Sequence, residues 1–161
     1  MVTTGQVVLR EQGVRLRRLE KIGHRLARSL LPGDLVLLYG PLGAGKTTLV
    51  RAIASALEVA DPVRSPSFTI ANIYRGSVTV QHLDLYRLEE IGAEDALALE
   101  EYVRADAVTL VEWPQAGVGR LGPPSWIVRI GHESPHRRSI EIEGATSDAR
   151  SRWERSGGTH V

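Results

Sequence analysis

A chain of 161 residues, 42% apolar and 24% charged, holds one ordinary domain with a real core and is short for two. A net charge of +1 supplies no global field for nucleic acid or membranes, so any such contact needs a local patch. The absence of cysteine excludes disulfides and thiolate metal sites, and no apolar run nears the roughly 18 residues of a membrane span.

The opening stretch MVTTGQVVLREQG has no basic start followed by an apolar run. It does not read as a secretory signal, and a soluble cytoplasmic protein is expected. QVVLR is of strand length. Over residues 14–31 the side chains Leu16, Leu19, Ile22, Leu26 and Leu30 recur at three- and four-residue steps, which predicts an amphipathic helix that Pro32-Gly33 stops. DLVLLY, residues 34–39, is a continuous apolar run, as a strand covered on both faces requires. A glycine turn follows. Residues 46–57 then read as a second helix with Leu49, Val50, Ile53 and Leu57 on one side.

DPVRSP is a loop. SFTIANIY and SVTVQHLDLY predict two strands joined as a hairpin at Arg75-Gly76. RLEEIGAEDALALEEYVRAD is charged and interrupted by Gly92, so short helical pieces are expected. AVTLV, residues 107–111, is a second buried strand and ends abruptly at Glu112-Trp113-Pro114. SWIVRIG and RSIEIEG alternate like a closing antiparallel pair. After Gly144 few apolar residues remain, and residues 145–161 read as a frayed tail with Trp153 its one large anchor. The order predicts an α/β fold over residues 1–144, with a mixed sheet flanked by helices.

Gly40, Gly45, Lys46 and Thr47 fit G-x-x-x-x-G-K-[ST], with a buried strand before and a helix after. Each part has a physical task. Glycines let successive backbone N–H groups turn inward toward phosphate oxygens. The helix adds its free N–H groups and the positive end of its dipole. Lys46 brings a point charge to the β- and γ-phosphates, and the Thr47 hydroxyl is placed for Mg²⁺.

Hydrolysis needs an acid at the C-terminal end of a neighbouring strand. Glu112 ends AVTLV and is the favoured metal-side acid. Asp84 follows SVTVQHL as water orienter or supporting acid. Taken alone, Glu112 also reads as an exposed loop acid and Asp84 as a helix cap. Ser67 and Thr69 in RSPSFT suit a γ-phosphate sensor, or simply a loop stiffened by Pro66. The sequence contains no [NT]-K-x-D, no D-x-x-G and no L-S-G-G-Q, which argues against guanine-specific GTPases and ABC-type ATPases.

GPLGAGKTTLVRAIASAL, VRSPSFTIANIY, HLDLYRLEE and LVEWPQAG, in this order and spacing, resemble the TsaE (YjeE) family over residues 13–144. The resemblance implies a compact P-loop NTPase-like fold, ATP with Mg²⁺, and weak ATPase activity required for threonylcarbamoyladenosine modification of tRNA. It implies a complex with the TsaD and TsaB proteins, in which TsaD performs the transfer. On that pattern Gly43, Ala44, Gly45, Lys46, Thr47 and Thr48 form the phosphate loop. Thr47 and Glu112 match the Mg²⁺ positions, Ser67 falls in a switch-like segment, Trp113 lies beside the nucleotide, and Arg137 is in the region of a late nucleotide contact. Pro41 stands where the family usually has Asp, and Ser67 where Thr is more common.

Arg18, Lys21, Arg25 and Arg28 form a basic stripe on the first helix. It suits tRNA or an acidic partner, but a solvated face is favoured because no aromatic residues interleave. The five histidines lack ligand spacing, so no zinc is expected. His82 reads as a structural or supporting group rather than a base. Two other readings stay open: a small-molecule kinase with Asp84 as base, and a non-hydrolysing nucleotide-gated binding module.

Overall fold

A computed structural model describes residues 5–63, 71–86, 99–117 and 119–157. Seven strands form one mixed sheet: β1 (Gln6–Val14), β2 (Leu35–Tyr39), β3 (Ala71–Arg75), β4 (Thr79–Asp84), β5 (Ala107–Glu112), β6 (Trp126–Ser134) and β7 (Arg137–Gly144). Their spatial order is β1-β7-β6-β2-β5-β4-β3. The centre is parallel, with β2 between β5 and β6 and β4 beside β5. Both flanks are antiparallel: β3 pairs β4 as the expected hairpin, and β7 pairs both β6 and β1.

Central strands are buried on both faces, and their alternation divides the core. Val36, Leu38, Val108 and Leu110 point to the larger cluster, where α1 (Leu16–Ser29) and α2 (Lys46–Ala56) supply Leu19, Ile22, Leu26, Leu49 and Ile53. Leu35, Leu37, Leu83 and Val111 point to the opposite face and pack with Leu85, Leu99 and Leu121. The two helices approach closely because Gly23 has no side chain: a Cβ there would stand 2.7 Å from the Ala52 Cβ.

Two expectations are corrected. Leu16 is not part of the helix's buried stripe; it is 57% exposed at the first turn. The stretch after Gly144 does not fray over its described residues, because Ser147–Gly157 is a helix, α3, packed on α1. Thr146 caps it, its Oγ1 accepting the Ala149 N–H at 3.0 Å. Ala149 and Trp153, four residues apart, are buried together. The other anchor is polar. Asp34, at the mouth of β2, accepts from both terminal nitrogens of Arg152 at 2.6 and 3.2 Å and from Trp126 Nε1 at 3.1 Å. Arg152 also donates to the Ser29 carbonyl at the end of α1. A helix held by two apolar side chains and an ion pair carries too little apolar periodicity to announce itself.

Leu99–Tyr102 is a 3₁₀ turn with Leu99 buried, in keeping with one of the short helical pieces. Residues 87–98 of that stretch, and residues 64–70 carrying Ser67 and Thr69, lie outside the described residues.

Candidate nucleotide site

The parallel strands β2, β5 and β4 end side by side, so whatever follows them converges on one edge of the sheet. After β2 the chain turns through residues 40–45 and enters α2. Gly45 sits at the helix start with φ 111°, a left-handed conformation that a side chain would strain. Ala44 N–H closes the turn on the Pro41 carbonyl at 3.2 Å, and the first helical bond runs from Leu49 N–H to the Gly45 carbonyl at 2.9 Å. The N–H groups of Lys46, Thr47 and Thr48 therefore lie in the first turn with no i−4 acceptor inside the helix. No acidic residue occupies that turn, so the positive end of the dipole is uncompensated by the helix itself.

Lys46 is almost fully buried. Its ammonium donates to the carbonyls of Gly40 and Pro41 and lies 3.7 Å from the centre of the Trp113 ring. Burial pushes its pKa down, against the fields of Glu112 and Asp84, which push it up. Trp113 holds φ 55°, a sparsely populated conformation for a bulky residue, and leads directly into a 3₁₀ turn at Pro114. The Tyr86 ring meets Trp113 at 4.9 Å between centroids and backs the indole that faces Lys46.

Glu112 and Asp84 are register partners across β5 and β4. Glu112 is 3% exposed; its oxygens lie 3.3 and 3.4 Å from Thr47 Oγ1, and Oε2 lies 2.6 Å from His82 Nε2. Asp84 Oδ1 accepts the Tyr86 N–H at 3.0 Å. Burial raises the Asp84 pKa above the ordinary carboxylate range. The Tyr86 N–H opposes that shift and the Glu112 charge adds to it.

The resulting pocket holds about 250 Å³ and is lined by the loop, Asp84, Glu112, Trp113 and Arg138. The hard oxygens of Thr47 and Glu112, just over 3 Å apart, suit Mg²⁺, which binds through one or two protein oxygens plus phosphate and water. Ser67 is outside the described residues. Arg137, expected in the region of a late nucleotide contact, does not line this pocket; its neighbour Arg138 does. Alternate side chains of a strand point to opposite faces, and Arg138 is the one at the loop, its Nη2 lying 3.5 Å from the Gly43 carbonyl. Leu16 also lines the pocket, where the helical pattern had assigned it to the core. Tyr86 and the His82 contact escaped the sequence as well. The His-x-Asp alternation, which sends His82 and Asp84 to one face of β4, was the signal available.

A larger cavity, about 450 Å³, lies between α1 and α3 and is lined by the basic stripe. Among the described residues, two of the four stripe cations have internal partners. Arg18 is paired with Glu11 at 2.6 Å, and Arg25 stacks 3.9 Å over Trp153 while donating to Ser156 Oγ and the Trp153 carbonyl.

Comparison with known proteins bears on the same region. The sequence profile of TsaE, Threonylcarbamoyl adenosine biosynthesis protein TsaE, matches residues 15–142. The tRNA threonylcarbamoyladenosine biosynthesis protein TsaE of Streptomyces coelicolor is 40% identical over 134 residues, 78% of this chain and 90% of that one. The protein of that name from Mycobacterium tuberculosis is 38% identical over 118 residues, 68% of this chain and 70% of that one. Among solved structures, YdiB of Bacillus subtilis superposes with a TM-score of 0.80 at 27% identity, covering 95% of each chain. The phosphate loop, both strand-end acids and Trp113 all fall within the matched residues, and the chain belongs to the TsaE family of tRNA threonylcarbamoyladenosine biosynthesis proteins.

Proposed function

We propose that this chain binds ATP with Mg²⁺ and hydrolyses it slowly as an accessory ATPase, acting with TsaD and TsaB in threonylcarbamoyladenosine modification of tRNA in the cytoplasm. The observation that carries this reading is the convergence of Lys46, Thr47, Asp84 and Glu112 on one pocket at the N-terminus of α2. The α2 N–H groups and Lys46 bind the β- and γ-phosphates, for which Lys46 leaves the carbonyls it now contacts. Thr47 and Glu112 hold the Mg²⁺, which when bound neutralises charge developing between the β- and γ-phosphates. Asp84 accepts a hydrogen bond from a water and orients its oxygen toward the γ-phosphorus. As that oxygen bonds to phosphorus, the bond from phosphorus to the β–γ bridging oxygen breaks. ADP and inorganic phosphate leave, and the proton lost by the water passes to phosphate or solvent.

The test is phosphate release by the purified chain alone and with TsaD and TsaB. Slow turnover alone and acceleration by the partners are expected. Fast turnover indifferent to them would remove the accessory role. A phosphorylated metabolite in place of free phosphate would turn the assignment to a kinase.

A further inference from the structure

We infer that His82 is a positioning residue for the metal-side acid: it grips one oxygen of Glu112 and so keeps the carboxylate seated against Thr47 and the ion held there. The inference rests on the nucleotide-site reading above. His82 is completely buried in β4, with Leu110 as its register partner on β5 and Glu112 diagonal to it, two residues further along. Its Nε2 lies 2.6 Å from Glu112 Oε2. A carboxylate oxygen only accepts, which assigns the proton of this bond to Nε2. The other ring nitrogen, Nδ1, is buried with no hydrogen-bond partner among the described residues. An orphaned acceptor in the core is a cost, and simple packing beside Val80 and Leu110 would be served better by leucine.

The alternative position of the acid explains why a grip is needed. Lys46 feels the Glu112 charge, and its ammonium already lies in the same pocket. A carboxylate without a fixed donor is drawn toward that cation and away from Thr47. The His82 bond is short and sheltered from water, and it comes from a strand rather than a loop, so it holds Glu112 Oε2 in place. Both Glu112 oxygens then stay within 3.4 Å of Thr47 Oγ1, and Oε1, the one free of the His82 bond, forms with that hydroxyl one edge of the oxygen cage that Mg²⁺ requires. His82 touches neither nucleotide nor reacting atoms in this arrangement; it acts through Glu112.

Three substitutions separate this role from packing. His82→Gln keeps an N–H donor near the place of Nε2. His82→Leu fills the space without a donor, and His82→Asn carries its donor too short to reach. ATP affinity is measured by calorimetry without metal, then the tightening of ATP binding is followed as Mg²⁺ is titrated, with kcat and KM measured at saturating metal. Expected are metal-free ATP affinities within about twofold of one another. The Mg²⁺ requirement should rise by about 10- to 100-fold in Leu and Asn, with kcat falling and KM for the Mg²⁺-saturated nucleotide little changed, while Gln recovers most of the loss. An unaltered Mg²⁺ requirement in a folded Leu or Asn variant overturns the role, and so does Gln behaving no better than Leu. If Leu fails to fold, the Gln–Asn pair decides. An unsubstituted protein that binds no ATP at all overturns the nucleotide-site reading itself, a different result from an unsubstituted protein with a normal Mg²⁺ response that the variants share.

Discussion

Asp84 carries a conflict visible at a single residue. It is partly buried and faces Glu112 in register, so its ionised form is disfavoured by lost hydration first and by the neighbouring carboxylate as well. An acid whose pKa is raised by folding leaves stability intact below its unfolded value, near 4. As pH rises from there through the raised folded value, the unfolded chain releases the proton first and the fold loses stability. Above that window the penalty is constant. Asp84→Asn keeps the oxygen that accepts the Tyr86 N–H and removes the charge. The variant should therefore melt above the parent at pH 7, by a few degrees at most given the partial exposure. The difference should close as pH falls below the ordinary carboxylate range. Phosphate release should drop by about 100-fold or more if Asp84 orients the water. Melting curves across pH and a single turnover assay check both; a variant that melts lower at neutral pH contradicts the burial assignment.

At the scale of elements, legibility followed apolar periodicity. The doubly buried strands β2 and β5, the hairpin β3–β4 and the pair β6–β7 could be read because their apolar patterns are continuous or alternate. Helix α3 could not, since its attachment depends on Trp153, on the cation stacked over that ring, and on an Asp34–Arg152 pair separated by 118 positions. Long-range polar partners leave no local pattern. The same holds in the site: the phosphate loop is one contiguous motif, whereas the choice between Arg137 and Arg138 depends on which face of β7 meets the loop. Trp153→Ala should cost about 3–5 kcal/mol, a fall in Tm of roughly 6–20 °C. Asp34→Asn should cost less, about 1.5–3 kcal/mol, because Arg152 loses its buried charged partner but keeps Asp148 at 2.9 Å. Both contacts touch Trp126, so the double variant should lose less than the sum of the two. Thermal melts of the three proteins test this; a Trp153→Ala protein with an unchanged Tm would mean α3 is not stably docked.

For the whole molecule, the site gathers groups from positions 46, 47, 84, 112 and 138, carried on α2, β4, β5 and β7. A ligand spanning them binds the assembled sheet and not the unfolded chain, so its binding free energy adds to global stability. ATP with Mg²⁺ at a concentration 100 times its Kd should contribute about 2.7 kcal/mol and raise Tm by roughly 5–10 °C. Lys46→Ala separates this effect from unspecific stabilisation. Loss of one charge-assisted contact weakens binding by about 10- to 100-fold. At the same nucleotide concentration the stabilisation then falls to roughly 0.4–1.4 kcal/mol, or about 1–5 °C. Without nucleotide the alanine variant loses the bonds to the Gly40 and Pro41 carbonyls and the stacking on Trp113, offset in part by removal of a charge that burial disfavours, so its Tm should lie within a few degrees of the parent's. Equal shifts in the two proteins would place the bound triphosphate somewhere other than the α2 N-terminus. A parent protein with no shift at saturating ATP and Mg²⁺ would mean that these strand ends, though assembled, do not hold a nucleotide.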